Sequence, residues 1–331
     1  MMEGDFLLIR FIIKRIIILI PVVAGISVLI FAITRAMPGD PVALMLPITL
    51  RPEQYDIAYD AMFIRLGMDR PVYEQYFRWI IEIFQGNFGY SSLFNGRPVF
   101  DAVVEPMRNT IILNLFVNVF YLPIALILGI RMAVKRGSIF DNSIQVFSLT
   151  TFSMPPFFIG LVLIFIFGIT LGWLPLGGMP NSALLEGSEL TIEWIRTLIL
   201  PAANLILLSF AGAIRYIRNA MIDALSQDYI RTARSKGLSE KVVIYSHAYR
   251  NALIPISTII VGIVFSLFAG AIVTESVFAY NGMGRLLISA VNGRDRMLVQ
   301  AITLLLAMIN VLAVLAADIV YGLIDPRIKL K

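Results

Sequence analysis

The chain has 331 residues, of which 58% are hydrophobic and 15% charged, and its mean hydropathy is +0.83. A soluble domain carries about 25% charged residues, so this composition indicates an integral membrane protein. The absence of cysteine excludes disulfides, thiol catalysis and cysteine-ligated metals, and the single histidine excludes a histidine-rich metal site. No GxxxxGK(S/T) run occurs, so the chain is not expected to bind the phosphates of ATP itself.

Six apolar stretches are long enough to cross a bilayer as helices, which takes roughly 20 residues each. They lie at 16–34, 111–130, 144–169, 195–214, 255–273 and 301–320. Several contain proline, which membrane-embedded helices tolerate because neighbouring helices satisfy the freed backbone groups. The first stretch is too long for a signal-peptide core, so it is expected to remain as a span. The sequence predicts an all-α membrane protein with six transmembrane helices in a single domain over 1–331.

The distribution of lysine and arginine predicts the orientation of these spans. Basic residues outnumber acids in the segments that lie on the same side as the N-terminus, and acids outnumber basic residues on the other side. The basic residues on the N-terminal side are Arg10, Lys14, Arg15, Arg131, Lys135, Arg136, Arg215, Arg218, Arg231, Arg234, Lys236, Lys241, Arg250, Arg327, Lys329 and Lys331. The N- and C-termini are therefore predicted to be cytoplasmic. The net charge of +5 is a topological signal and does not indicate nucleic-acid binding.

Residues 36–108, between the first two spans, are predicted to form an extracytoplasmic helical insert. Apolar residues recur there at helical spacing and define one face of an amphipathic helix. These residues are Val72, Tyr76, Trp79, Ile80 and Ile83.

Residues 215–250 are predicted to form a cytoplasmic loop that contains two short helices. Ser226 is a candidate N-cap for the first helix, and Asp228 places an acid in its first turn, where the helix dipole favours negative charge. The last turns carry Arg231, Arg234 and Lys236. A solvated basic loop that only obeys the positive-inside rule is the simpler interpretation of this charge.

A glycine turn is predicted between the two helices of this loop. Gly237 stands where a left-handed residue commonly ends a helix, and Leu238 is expected to supply the hydrophobic closure. Ser239 is expected to cap a second helix that runs into Arg250 and returns to the membrane.

Small residues on the first helix suggest a surface that another protein approaches closely. Tyr229, Ala233 and Gly237 lie at i, i+4 and i+8, which places them on one face. The sequence predicts that this face docks against a partner, with arginine donors around it.

The loop resembles the EAA loop of binding-protein-dependent ABC importer permeases. The run YIRTARSKGL, followed by HAYRNALIP, is similar to the form of that loop in the dipeptide, oligopeptide and nickel branch. Arg231 and Thr232 stand where Glu and Ala are commonest in the wider family.

Other segments carry the same resemblance, in the same order along the chain. RFIIKRIIILIPVVAGISVLIFAITRAMPGDP is similar to the first span and exit of that branch, and RLGMDRPVYEQYFRWIIEIFQGNFGYS to its insert. ESVFAYNGMGRLLISAVNGRD and YGLIDPRIK are similar to its last outer loop and its terminus. The large first insert is similar to that of the B-type subunit.

The resemblance implies a permease subunit that carries no enzyme activity and no cofactor. ATP and Mg would be bound by two ATPase subunits, and a second permease and an extracytoplasmic solute-binding protein would complete the importer in a prokaryotic membrane. The loop would contain the coupling helix that docks on an ATPase. Its implied coupling residues are Asp228, Tyr229, Arg231, Thr232, Ala233, Arg234, Gly237 and Leu238. The substrates implied are di- or oligopeptides, with oligosaccharides or nickel as alternatives.

Polar residues and glycines within the predicted spans are candidates for lining the pathway, because polar groups are costly in lipid. These candidates are Asn114, Asn118, Gly262, Gly270 and Thr274. Interhelical packing and hydrogen bonding are the alternative interpretation. Asp318 in the last span supports a second hypothesis, a proton-coupled secondary transporter, and an intramembrane enzyme is a third.

Overall fold

The computed structural model describes residues 2–47, 49–180, 186–268 and 270–324, which are mostly α-helical. The helices in chain order are α1 (Met2–Arg35), α2 (Pro52–Arg65), α3 (Val72–Phe84), α4 (Val99–Val134), α5 (Ile139–Ser153), α6 (Pro156–Leu163), α7 (Gly187–Leu225), α8 (Asp228–Ser235), α9 (Glu240–Val242), α10 (Tyr249–Ser266), α11 (Ile272–Val277), α12 (Met283–Asn292) and α13 (Arg296–Ile324). Strands β1 (Tyr90–Ser91) and β2 (Arg97–Pro98) pair antiparallel. Ala43–Met45 is a 3₁₀ turn, and Ile164–Thr170 and Val243–Ala248 are π-helical.

Among the described residues, the helices α1, α4, α7 and α13 are each long and apolar enough to cross a membrane. The spans predicted at 16–34, 111–130, 195–214 and 301–320 lie within them. Each helix extends beyond its apolar stretch, since backbone hydrogen bonding does not stop where polar side chains begin. As a result α4 begins inside the predicted insert, and α7 continues into the predicted cytoplasmic loop. An all-α integral membrane protein is thus confirmed, and six spans stay a prediction.

The third predicted span, at 144–169, is not one straight helix. The axis bends by 106° between Ile139–Ser153 and Pro156–Thr170. The residue before a proline avoids the helical region, and Met154 accordingly adopts ψ 139° ahead of Pro155. Pro156 occupies the first turn of α6, where the missing N–H costs nothing. Single prolines elsewhere, such as Pro21 and Pro201, remain inside continuous helices.

The fifth predicted span, at 255–273, is also interrupted. Helix α10 ends at Ser266 and α11 begins at Ile272, with a turn at 267–268 and no regular structure at 270–271. Ala269 and the predicted cytoplasmic C-terminal residues 325–331 lie outside the described residues. A continuous helix over 255–273 is therefore wrong.

The described residues form two compact packing units. The first contains those of Met1–Asn109 and Gly282–Leu315. Its core includes Val99, Met283, Leu298 and Ile302, all fully buried. The single domain over 1–331 stays a prediction.

Within the first unit, the start of α13 holds the β-hairpin. The Asp295 carboxylate accepts hydrogen bonds from Ser91 Oγ and from the backbone N–H groups of Leu93 and Leu298, the last two at 3.0 Å. The predicted helical insert at 36–108 thus contains α2, α3 and also a short hairpin.

The second unit contains the described residues of Thr110–Asn281 and Ala316–Lys329. Helices α5 and α10 both pack against α7. Its core includes Leu113, Ile214, Ile217 and Ile256, which are at most 1% exposed. This unit contains the predicted cytoplasmic loop.

Candidate functional site

The first short helix predicted in the cytoplasmic loop is present as α8, but its N-cap differs from the prediction. Ser226 has helical dihedrals and ends α7, and its hydroxyl donates back to the Asp223 carbonyl at 2.8 Å. Gln227 is the N-cap of α8, with ψ 153° and no side-chain cap bond. The assignment of Ser226 as the N-cap is therefore wrong, because its side chain is used by the preceding helix.

The predicted glycine turn lies at the end of α8. Gly237 has φ +76°, its N–H donates to the Arg234 carbonyl at 2.9 Å, and the Leu238 N–H donates to the Ala233 carbonyl at 3.4 Å. This is the Schellman arrangement, which favours glycine at the left-handed position. A Cβ added at Gly237 would meet no atom within 4 Å, so the requirement for glycine is conformational and not steric.

The chain then turns into α9, whose N-cap is Ser239 as predicted, although its side chain makes no cap bond. The Arg234 guanidinium donates two hydrogen bonds to the Glu240 carboxylate across the turn. The Nε–Oε1 distance is 2.8 Å and the Nη2–Oε2 distance is 3.2 Å. These hydrogen bonds lower the pKa of Glu240 and raise that of Arg234. Both side chains are well exposed, so we assign the pair a role in orientation more than in stability.

The inner face of α8 packs against its own chain. Ile230 and Ala233 are 0% and 5% exposed and belong to one core with Val243 and Ala248 of the π-helical segment. The prediction that Ala233 faces a partner together with Tyr229 is therefore wrong. Its small side chain instead lets α8 lie close to the returning helix.

The outer face of α8 is open. The side chains of Asp228 and Arg231 are 95% and 80% exposed, and they lie 3.5 Å apart. Tyr229 is 38% exposed, Leu238 is 40% exposed, and Thr232 is also exposed. Leu238, expected to close the turn hydrophobically, thus presents its side chain outward.

From Glu240 the chain is helical without interruption to Ser266, as α9, the π-helical segment and α10. A π turn carries an extra residue within a helix and is often associated with function. The only histidine, His247, lies in this segment, half-buried. The loop is therefore joined to a long helix by continuous backbone hydrogen bonding.

A buried ion pair between α5 and α7 was not predicted. Arg218 of α7 donates to both carboxylate oxygens of Asp141 at 2.7 Å each, and the Asp141 side chain is 0% exposed. The same carboxylate also accepts from the Gly137 N–H and from Gln145. The Ser-x-x-Asp pattern at Ser138 signalled the start of a helix. Nothing local signalled a partner 77 residues away.

Two of the pathway candidates lie beside the break between α10 and α11. Asn114 is 9% exposed and donates from Nδ2 to the Leu267 carbonyl at 3.1 Å, just past the end of α10. Asn118, half-buried, donates to the Asn114 carbonyl at 2.8 Å. Asn114 thus satisfies a carbonyl group that the interrupted helix leaves without an intrahelical donor.

Thr274 lies on the other side of this break and is buried within the chain. Its hydroxyl accepts a hydrogen bond from Asn204 Nδ2 at 2.9 Å. Next to it, Glu275 is 0% exposed and accepts from Thr110 Oγ1 at 3.0 Å and from the Ala271 N–H at 3.2 Å. Asn204, Thr110 and Glu275 were not predicted, although an acid directly after an apolar run was a visible signal.

The two glycine candidates for the pathway, Gly262 and Gly270, are less buried than Asn114 and Thr274. Gly262 is exposed within α10, and a Cβ added there would meet no atom within 4 Å. Gly270 is half-buried in the irregular segment ahead of α11. The five candidates therefore do not form one lined surface in this chain.

Comparison with known proteins identifies the class of this membrane protein. Residues 125–330 match the family of binding-protein-dependent transport system inner membrane components, and residues 8–114 match the N-terminal membrane component of such systems. The chain is 36% identical to the oligopeptide transport system permease protein AppB of Bacillus subtilis over 96% of this chain and 99% of the relative. It is 37% identical to the di/tripeptide transport system permease protein DppB of Pseudomonas aeruginosa (97% and 99%) and 35% identical to the dipeptide permease protein DppB of Escherichia coli K12 (98% and 100%).

The chain therefore belongs to the family of binding-protein-dependent transport system inner membrane components. It is an inner-membrane permease of an ABC importer and not an enzyme, and ATP hydrolysis belongs to a separate subunit of the transporter complex. The resemblance drawn from the sequence is confirmed. Membership in this family supports an ATP-driven importer over the proton-coupled transporter and the intramembrane enzyme.

Proposed function

We propose that this chain forms half of the translocation pathway of an ATP-driven importer of di- or oligopeptides. The observation that carries the substrate class is full-length similarity to three permeases, each named for peptide transport. Import of oligosaccharides or nickel by the same machinery is the alternative drawn from the sequence, and no relative named above favours it.

We propose three kinds of protein partner for the chain besides membrane lipid. A second, similar permease completes the pathway, two ATPase subunits supply the energy, and an extracytoplasmic solute-binding protein delivers the peptide. Nucleic acid is not a proposed partner, because the basic residues follow the positive-inside pattern.

The outer face of α8 is the proposed ATPase-docking surface. It comprises Asp228, Tyr229, Arg231, Thr232 and Arg234, all exposed, with Leu238 in the turn beyond. Charged donors and acceptors of this kind bond well to carboxylates and cations around a groove. Ala233 and Gly237 act indirectly, by placing this surface. Ala233 packs α8 against the π-helical segment, and Gly237 forms the turn that ends α8.

Stiffness supports a coupling role for α8. The helix is packed through Ile230 and Ala233, closed by the Gly237 turn, and tied to α9 by the Arg234–Glu240 pair. From α9 the backbone is helical into α10. A displacement of α8 by a moving ATPase would therefore reach α10 instead of being absorbed by a flexible loop.

We propose that this chain lines the translocation pathway at the break between α10 and α11. Irregular backbone at membrane depth is tolerated where protein or a water-filled cavity surrounds it. Asn114, Gly270 and Thr274 lie at this break, and Asn118 and Gly262 lie one to two turns from it along α4 and α10. Asn114 and Thr274 are buried and already hydrogen-bonded within the chain, so we assign them the shaping of this break. Asn118, Gly262 and Gly270 are less buried and are the candidates to contact a passing peptide.

The test of transport is reconstitution of the complete importer in proteoliposomes with its binding protein outside. We expect ATP-dependent accumulation of a labelled di- or oligopeptide that stops when the binding protein is omitted. Accumulation driven by a proton gradient without ATP would contradict the proposal. ATP-dependent uptake of nickel or an oligosaccharide, but not of peptides, would overturn the substrate class alone.

The proposed orientation has N- and C-termini inside, the 36–108 insert outside and the 215–250 loop inside, with six spans. Since the native chain has no cysteine, single cysteines give a clean background. In intact spheroplasts an impermeant thiol reagent should label Asp60→Cys, an exposed position on α2, and should not label Ser239→Cys, an exposed position beside α9. Both should react after permeabilisation. The reversed pattern in intact spheroplasts would contradict the orientation.

A further inference from the structure

The most exposed face of α3 is apolar and aromatic, which is not expected of a helix that faces water. Tyr73, Phe77, Ile81 and Phe84 recur at i, i+4, i+8 and i+11, which places them on one face. They are 63%, 60%, 56% and 87% exposed. A helix that bordered water on this side would carry its charged residues here.

The charged residues of α3 are more enclosed than this apolar stripe. Glu74, Arg78 and Glu82 are half-buried, and Arg78 Nε pairs with Glu82 Oε1 at 3.0 Å. Gln75 is only 9% exposed and donates to the Arg70 carbonyl at 2.7 Å. The polarity of α3 is thus inverted relative to a water-facing surface helix.

A face of α3 beside this stripe packs against the end of a membrane-spanning helix. The Tyr76 hydroxyl lies 2.8 Å from Ser27 Oγ, and the ring of Phe31 lies 5.5 Å from Tyr76 and 5.8 Å from Trp79 between centroids. Ser27 and Phe31 belong to the candidate span Ile13–Arg35. At 1.5 Å per residue, they lie roughly 12 and 6 Å along the helix axis from Arg35.

A groove between these two helices continues the same apolar surface. It has a volume of about 700 Å3 and is lined mainly by apolar side chains such as Val28, Phe31 and Val72, together with Tyr73 and the cation Arg35. Arg35 also donates to Gln75 Oε1. Val28 lines this groove and is 44% exposed, so the groove adjoins the exposed apolar surface of α1, which includes Leu29 at 62% exposure.

We propose that α3 is an interfacial helix that lies in the boundary between lipid headgroups and acyl chains. Its stripe of Tyr73, Phe77, Ile81 and Phe84 enters the acyl region, and the groove holds the upper part of a phospholipid chain with its phosphate near Arg35. Interfacial helices insert their apolar face about 5–10 Å into this boundary, which matches the depth of the α1 contacts. Tyrosine and tryptophan favour the same layer.

Continuity with the exposed apolar surface of the candidate span α1 is what selects lipid as the occupant. Lipid occupancy requires that α1 crosses the membrane and is independent of which substrate is carried. A partner protein covering the stripe is the competing occupant, and the experiment distinguishes the two.

The experiment places a nitroxide on single cysteines in the complete importer, with cysteine-free partner subunits, in phosphatidylcholine vesicles. Collision rates with oxygen, which concentrates among acyl chains, and with a water-soluble nickel chelate are compared at each site. Phe77→Cys and Phe84→Cys report the stripe. Leu29→Cys on α1 is the lipid reference, and Asp60→Cys on α2 is the water reference.

We expect the oxygen-to-nickel ratio at Phe77 and Phe84 to match Leu29 and to exceed Asp60 severalfold. Ratios equal to that at Asp60 would show that the stripe faces water and would overturn the proposal. Low collision rates with both reagents would show that protein covers the stripe and would overturn it equally. Using two sites keeps the result interpretable if one variant fails to assemble.

Discussion

Replacing Arg218 by methionine is expected to destabilise the protein by about 3–5 kcal/mol, because it leaves a buried carboxylate without its countercharge. Asp141 is completely buried and receives two 2.7 Å bonds from the guanidinium. The Gly137 N–H and Gln145 would remain, but neither carries charge. The measurement is the apparent melting temperature of the purified importer in detergent.

The matched control for this variant removes both charges at once. Arg218→Met combined with Asp141→Asn retains an acceptor for the Gly137 N–H and buries no unpaired carboxylate. Since neutral replacement of a buried pair is often close to neutral in stability, the double variant should recover most of the loss. A single variant that melts at the wild-type temperature would show that the pair contributes little to stability.

Replacing Gly237 by valine is expected to separate ATP hydrolysis from peptide uptake while the subunit still inserts. The φ of +76° places any other residue in the left-handed region, at about 1–2 kcal/mol, and a β-branched residue is among the least tolerant. Relief of that strain would open the turn that fixes α8 relative to α9. Substrate-stimulated ATP hydrolysis and uptake are measured in the same proteoliposomes.

Gly237→Asn is the control for the conformational argument. Asparagine tolerates the left-handed region, and an added side chain meets open space here. The asparagine variant should therefore retain coupling that the valine variant loses. Normal uptake with valine would contradict the role of this turn, and equal loss with both residues would show that bulk at the docking surface is responsible.

Features specified by adjacent residues could be predicted from the sequence. The glycine turn follows from a basic helix end followed by Gly-Leu, and the long apolar helices α1, α4, α7 and α13 follow from apolar runs. The bend at Pro155-Pro156 was equally local. Membrane helices tolerate single prolines, and the sequence prediction extended that tolerance to two prolines in succession, which break the helix here.

Features that depend on distant contacts could not be predicted. Small residues on α8 suggested a docking face, but burial of Ala233 is decided by the packing of α8 on the π-helical segment, which no local pattern specifies. The break after Ser266 is supported by Asn114, 153 residues from the carbonyl that it satisfies. The polarity of the Asn114 side chain was visible in the sequence, whereas its partner was not.

Recovery of an ATPase subunit on tagged permease in detergent tests the coupling account most directly. Thr232→Trp adds bulk to the exposed face of α8, where the hydroxyl only bonds the Asp228 carbonyl of its own helix. Thr191→Trp is the matched control, since Thr191 is exposed and bonds the Gly187 carbonyl in the same way at the proposed outer end of α7. We predict that wild type and Thr191→Trp recover the ATPase and that Thr232→Trp loses it. Full recovery with Thr232→Trp would contradict docking through α8.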